Sequence, residues 1–213
     1  MSGSKRLILL FEATVCSLGL IVFSFFIHNE FPVRLISFAA LLLSAFIIGR
    51  NLRLLSDLKK ITGENITFKI TFLYSFFGIT LGVVLAVCYR LYLDISLFPK
   101  SFHLFVIVAA IIGCMEELVF RGFLQEYVKS INGPFSILFS TLSHTGYKCC
   151  LFLSPVIMAD IDIGKLAIYT LIAGLLFGTM RHLSKSILPS LFAHVLFDIL
   201  VYAEFVTAPW WVW

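Results

Sequence analysis

Six ionisable side chains in the apolar C-terminal half of the chain have spacings that suit acid–base chemistry: Glu116, Glu117, Arg121, His144, His194 and Asp198. Residues four apart share one face of a helix, so Glu117 can pair with Arg121, and Asp198 can orient the ring of His194. Glu116 points about 100° away from Glu117 and keeps its carboxylate available as a general base. An ionisable side chain at membrane depth costs at least about 2.5–3.5 kcal/mol, so this cluster indicates a buried functional site.

The composition indicates that these residues lie in a membrane. Of the 213 residues, 60% are hydrophobic and only 13% are charged. Ordinary globular proteins are about 45–50% apolar and about 25% charged. The net charge of +4 is too small and too dispersed to indicate nucleic-acid binding.

Seven stretches are long and apolar enough to cross a bilayer, which takes roughly 20 residues as a helix. They are 7–27, 32–49, 70–89, 102–128, 134–154, 164–180 and 186–206. We therefore predict an all-α protein, a polytopic transmembrane helix bundle of about seven spans with a buried site between helices. Measured from the predicted cytoplasmic ends, Glu116, His144 and His194 all lie roughly 13–20 Å deep, in one layer of the bilayer.

The basic residues predict the orientation, because cytoplasmic loops carry an excess of lysine and arginine. With the N-terminus inside, ten of them are cytoplasmic: Lys5, Arg6, Arg50, Arg53, Lys59, Lys60, Lys69, Lys129, Arg181 and Lys185. Five are then outside: Arg34, Arg90, Lys100, Lys148 and Lys165. The bias predicts a cytoplasmic N-terminus, with Trp210, Trp211 and Trp213 at the outer interface.

Three segments divide this single membrane domain. Residues 1–100 hold the N-terminal helices and a basic cytoplasmic loop, 50–69, which we expect to form an interfacial helix. Residues 101–206 form the helical core that carries the ionisable cluster, and 207–213 form an aromatic tail. Two GxxxG patterns, at Gly78 with Gly82 and at Gly174 with Gly178, predict close helix packing.

The sequence resembles the CAAX-protease and bacteriocin-processing (CPBP) family of intramembrane glutamic endopeptidases over roughly residues 100–202. The stretch from Glu116 to Arg121 is similar to the EExxxR motif of that family. The later residues resemble its last core segments, with His194 and Asp198 in the HxxxN/D motif. One departure lies in the FxxxH motif, where Ser140 stands four residues before His144 and Phe139 is one place off.

The resemblance implies a role for each residue of the cluster. Glu116 and His144 would activate a water molecule for attack on a peptide carbonyl, and His194 and Asp198 would stabilise the oxyanion. An ionised Asp198 cannot donate a hydrogen bond, so it either orients His194 or is protonated. Glu117 with Arg121 would support the structure. The chemistry would need no cofactor.

The resemblance also implies a membrane-associated protein or peptide as substrate, with a lipid or a hydrophobic tail. The expected location is a prokaryotic plasma membrane, as a multi-pass protein; the oligomeric state does not follow from the sequence. Two alternatives stay open. One is a zinc-dependent membrane protease that uses the same residues. The other is a non-catalytic membrane scaffold or immunity protein on the same fold.

Overall fold

The structure is a computed structural model that describes residues 3–51, 54–63, 67–154 and 162–206. Every regular element within these ranges is helical. The predicted aromatic tail, residues 207–213, lies outside the described residues, as does Arg53 of the charge count.

The helices follow the predicted spans closely. They are α1 (Gly3–Phe26), α2 (Arg34–Asn51), α3 (Leu54–Thr62), α4 (Phe68–Tyr92), α5 (Phe105–Glu117), α6 (Gln125–Lys129), α7 (Gly133–Leu153), α8 (Ile163–Ser184) and α9 (Leu188–Tyr202). A π-helix, Leu118–Leu124, joins α5 to α6. Six predicted spans correspond to one helix each, and the span predicted at 102–128 comprises α5, the π-helix and most of α6. By length and composition α1, α2, α4 and α8 can each cross a membrane, and α9 is a shorter apolar helix. The predicted helical membrane fold is confirmed.

The described residues group into two compact units, each discontinuous along the chain. The first is drawn from Met1–Asp57 and Phe123–Gly178, and the second from Leu58–Gly122 and Thr179–Trp213. The division predicted near residues 100 and 206 stays a prediction.

In the first unit α1 packs against α2 and α7, and α6 packs against α7. Glu12 of α1 accepts hydrogen bonds from the Tyr127 hydroxyl of α6 and from Arg50 of α2. The Glu12 side chain is 16% exposed and that of Arg50 is 51% exposed. Glu12 therefore ties three helices together at the edge of the unit.

In the second unit α9 packs against both α4 and α5. A Cβ atom on Gly78 would collide with the carbonyl oxygen of Pro189, and one on Gly82 with the carbonyl oxygen of Ala193. The backbones of α4 and α9 approach this closely because glycine has no side chain there. The close packing predicted from Gly78 and Gly82 is confirmed.

Two basic residues of the charge count, Arg90 and Arg181, are buried in the last turns of their helices. Arg90 lies in the last turn of α4, where its fully buried guanidinium donates to the Leu200 carbonyl at 2.9 Å and to Glu204 at 2.7 Å. Arg181 lies within α8 and is only 2% exposed. Their assignment to the outer and cytoplasmic sides stays a prediction, but a buried basic residue is weaker evidence for orientation than one in a loop.

Hydrogen bonds fix the starts of α7, α8 and α9. Asn132 caps α7 by accepting from the Phe135 N–H at 2.9 Å. Asp162, directly before α8, accepts from the Lys165 N–H at 3.0 Å, and this hydrogen bond lowers the pKa of the Asp162 carboxyl below its ordinary value. At the start of α9, the Ile187 N–H donates to the Ile61 carbonyl at 2.8 Å, which holds α9 to the end of α3.

Candidate active site

Helix α5, the π-helix that follows it and α9 position five of the six ionisable residues predicted from the sequence. Glu116 and Glu117 are the last two residues of α5, Arg121 lies in the π-helix that follows, and His194 and Asp198 lie one turn apart on α9. All five belong to the second unit. They are buried, with exposed fractions between 0% and 8%.

Glu117 contacts both positively charged or chargeable residues of this cluster, Arg121 and His194. Its Oε1 atom lies 3.2 Å from Arg121 Nη1 and 3.0 Å from His194 Nδ1. The predicted Glu117–Arg121 pair is present. The hydrogen bond to His194, expected from Asp198, comes instead from Glu117, since the Asp198 carboxylate approaches the other ring nitrogen and at a longer distance.

Two further carboxylates face His194 Nε2. Glu116 Oε2 and Asp198 Oδ2 each lie 3.7 Å from this nitrogen, beyond hydrogen-bond distance but close enough for a strong charge interaction. Three carboxylates therefore lie within 3.7 Å of the His194 ring, and one of them, that of Glu117, also pairs with Arg121.

The protonation of His194 decides what the ring can do. An ionised Glu117 can only accept, so Nδ1 carries a hydrogen. A neutral ring then presents a lone pair at Nε2, and a doubly protonated ring presents an N–H donor there. The same residue can therefore accept a proton or stabilise a developing oxyanion, depending on its charge.

The π-helix could not be predicted from periodicity. It begins directly after Glu117 and contains Arg121 and Gly122. π-Helical turns are rare and are frequent at functional sites. Gly122 lies against the side chains of Ile187 and Ile61, where a Cβ would come within 3.1 Å and 3.4 Å of their Cδ1 atoms.

Gly113 is a site residue that sequence reasoning missed. It lies one turn before Glu116 and Glu117, and a Cβ added to it would collide with Asp198 Oδ2 and come within 3.4 Å of His194 Cδ2. The absence of a side chain lets α9 bring these two groups beside the end of α5. A small residue three places before an intramembrane glutamate was the available signal.

Replacing Gly113 by alanine is expected to destabilise the protein by roughly 1–3 kcal/mol and to displace Asp198, since an extra methyl group in a packed site forces its neighbours to shift. Gly49→Ala in α2 is the matched control, because nothing lies within 4 Å of the added Cβ. Unfolding in mixed detergent micelles measures both variants. Equal unfolding midpoints would contradict this role of Gly113.

His144 belongs to the first unit, where it lies on α7 and is 4% exposed. Its ring lies nearly parallel to that of Tyr147, with 6.4 Å between the centroids. Ser140, at the place of the motif phenylalanine, is buried, while Phe139 contacts Phe135. The predicted convergence of His144 with Glu116 and His194 stays a prediction.

Metal ligation requires three or more suitable side chains around one point. Within the described ranges, histidine, cysteine, aspartate and glutamate form no group of three that could hold a metal ion.

The apolar helices and the buried carboxylate–imidazole cluster define an integral membrane protein with the groups of an acid–base enzyme. The family model described as type II CAAX prenyl endopeptidase Rce1-like matches residues 98–200, just under half of the chain. Over this segment the chain is similar to the CAAX-protease family, which confirms the resemblance predicted from the motifs. The match supports a CAAX-type intramembrane endopeptidase with a membrane-associated peptide substrate. No curated protein matches the chain significantly, nor does any solved structure.

Proposed function

We propose that the chain is an intramembrane glutamic-type endopeptidase. It hydrolyses a peptide bond near the membrane surface in a lipidated or hydrophobic-tailed protein or peptide. The observation that carries the proposal is the buried His194 ring, held at Nδ1 by Glu117 and faced at Nε2 by Glu116 and Asp198, inside the segment that matches the family.

In the proposed reaction Glu116 removes a proton from a water molecule that His144 also binds, and the water oxygen attacks the peptide carbonyl carbon. The carbonyl oxygen becomes an oxyanion, which accepts a hydrogen bond from Nε2 of protonated His194. When the tetrahedral intermediate collapses, the carbon–nitrogen bond breaks. The leaving nitrogen takes the proton from Glu116.

Asp198 acts through His194 in this proposal. An ionised carboxylate cannot donate to an oxyanion. At 3.7 Å from Nε2, Asp198 instead favours the positive imidazolium whose N–H is the donor. Glu117 holds the other ring nitrogen, and Arg121 balances the charge of Glu117.

The orientation and location are also proposals. The N-terminus is cytoplasmic in a multi-pass arrangement, supported by basic residues at helix ends, such as Lys5 and Arg6 in the first turn of α1 and Lys185 directly after α8. The membrane is a prokaryotic plasma membrane, and the reaction needs no metal or other cofactor.

The test replaces Glu116 by glutamine, which keeps the size of the side chain but removes the base. Protein termini are compared by mass spectrometry in cells that express the wild type, Glu116→Gln or Glu30→Gln at matched levels. Glu30 is the control because its carboxylate is exposed in the α1–α2 loop. We expect cleavage to fall about 10²–10⁴-fold in Glu116→Gln and to persist in Glu30→Gln.

Identical termini in all three strains would contradict proteolysis and favour the non-catalytic scaffold. Once a substrate is found, the purified protein is assayed with and without a strong chelator. Cleavage that the chelator leaves unchanged agrees with metal-free chemistry, and inhibition that added zinc reverses would establish the zinc alternative.

A further inference from the structure

Threonines within apolar helices usually bond their own backbone. Thr14, Thr80 and Thr170 each donate to the carbonyl four residues earlier, at distances between 2.7 and 2.9 Å. This bond satisfies a hydroxyl that would otherwise be buried without a partner.

Two threonines of α7 do not follow this pattern. The hydroxyl oxygens of Thr141 and Thr145 are buried, and neither has a hydrogen-bond partner in the described part of the chain. Thr141 is only 1% exposed. Burying an unpartnered hydroxyl is unfavourable, so a valine of the same shape would suit a purely structural role better at either position.

These two hydroxyls flank His144 on one face of α7. At about 100° per residue, Thr141, His144 and Thr145 lie within an arc of about 100°. A rise of 1.5 Å per residue separates the two threonines by about 6 Å along the helix axis. In an extended peptide, residues i and i+2 point the same way and lie about 6.6 Å apart. The spacing of the two threonines along α7 is therefore nearly equal to that of alternate residues in an extended peptide.

A membrane-embedded protease has a particular need for such groups. A substrate segment must be extended for its scissile bond to be reached, and an extended backbone cannot satisfy its own N–H and C=O groups. Lipid offers no partners for them. Each threonine hydroxyl can donate one hydrogen bond and accept others, so it can bond either kind of backbone group.

We propose that the Thr141 and Thr145 hydroxyls bind the main chain of the extended substrate segment on either side of His144. This inference rests on the proposed endopeptidase function and adds a binding site for the substrate backbone. Because the contacts are to main-chain atoms, the two threonines contribute to affinity for many substrate sequences. They do not select among side chains.

The test uses Thr141→Val and Thr145→Val, singly and together, with Thr170→Val in α8 as the matched control. The readout is the cleaved-to-intact ratio of each protein terminus that depends on Glu116, followed by KM and kcat on the substrate so identified. We expect each α7 variant to lower cleavage roughly 3- to 10-fold, mainly through a higher KM, and the double variant to lower it further. Thr141→Ser should restore cleavage, because it keeps the hydroxyl.

The unfolding midpoint separates binding from packing. Valine removes an unpartnered hydroxyl, so the midpoint of Thr141→Val should equal or exceed that of the wild type. Wild-type cleavage in the α7 variants, or a loss that follows a lowered midpoint, would overturn the inference and leave the proteolytic function standing. If no terminus depends on Glu116, the proposed function fails and this inference fails with it.

Discussion

Replacing Glu117 by glutamine is expected to lower cleavage about 10⁴-fold per folded molecule. Glu117 Oε1 accepts the Nδ1–H of His194, which fixes the ring orientation and the protonated nitrogen. A glutamine amide that donates to Nδ1 would move the ring hydrogen to Nε2 in the neutral ring and would oppose the doubly protonated form. In serine proteases the equivalent aspartate-to-asparagine change costs about 10⁴-fold in kcat, although the geometry is preserved.

The measurement must separate chemistry from folding, because Glu117→Gln also leaves Arg121 buried without this carboxylate. Cleavage rates are therefore divided by the monodisperse fraction after size-exclusion chromatography. The control is the double variant Glu117→Gln with Arg121→Met, which removes both charges of the pair. It should fold better than the single variant and remain equally inactive. A rate within tenfold of the wild type would return Glu117 to the purely supporting role expected from the sequence.

The helices were predictable because their signal is local. Apolar stretches of roughly 20 residues must form hydrogen-bonded helices in lipid, so composition alone predicted six helices with ends near those observed. The Gly78–Gly82 pattern likewise predicted a close helix contact, since a row of small residues on one face permits it. Both predictions follow from the sequence of a single helix, without knowledge of which helix packs against it.

The partner of His194 was harder to predict, because the contact joins Glu117 and His194, which lie on different helices and are 77 residues apart in sequence. Helical spacing favoured Asp198, four residues away on the same helix. The packing of α5 against α9 at Gly113 placed Glu117 closer to Nδ1, and no pattern within one helix encodes that contact. The π-helix was also missed, because its residues have the composition of an ordinary apolar helix.

Replacing Arg121 by methionine is expected to destabilise the protein by about 3–5 kcal/mol. The side chains of Arg121 and Glu117 are both fully buried, with 3.2 Å between Nη1 and Oε1. Removing one member of a buried ion pair leaves the other charge desolvated and uncompensated, and this dominates the cost. The remaining carboxylate would lie near Glu116 and Asp198 beside His194, so the cluster would carry more uncompensated negative charge.

Unfolding titrations in mixed detergent micelles can measure this cost against two comparisons. Arg50→Met breaks the ion pair with Glu12, in which the arginine side chain is 51% exposed, and should cost no more than about 1 kcal/mol. Adding Glu117→Gln to Arg121→Met should recover much of the lost stability, because the uncompensated charge is removed. Equal losses for Arg121→Met and Arg50→Met would show that the buried pair contributes no more than a surface pair. If the double variant recovers no stability, the loss comes from the packing of the Arg121 side chain and not from the uncompensated charge.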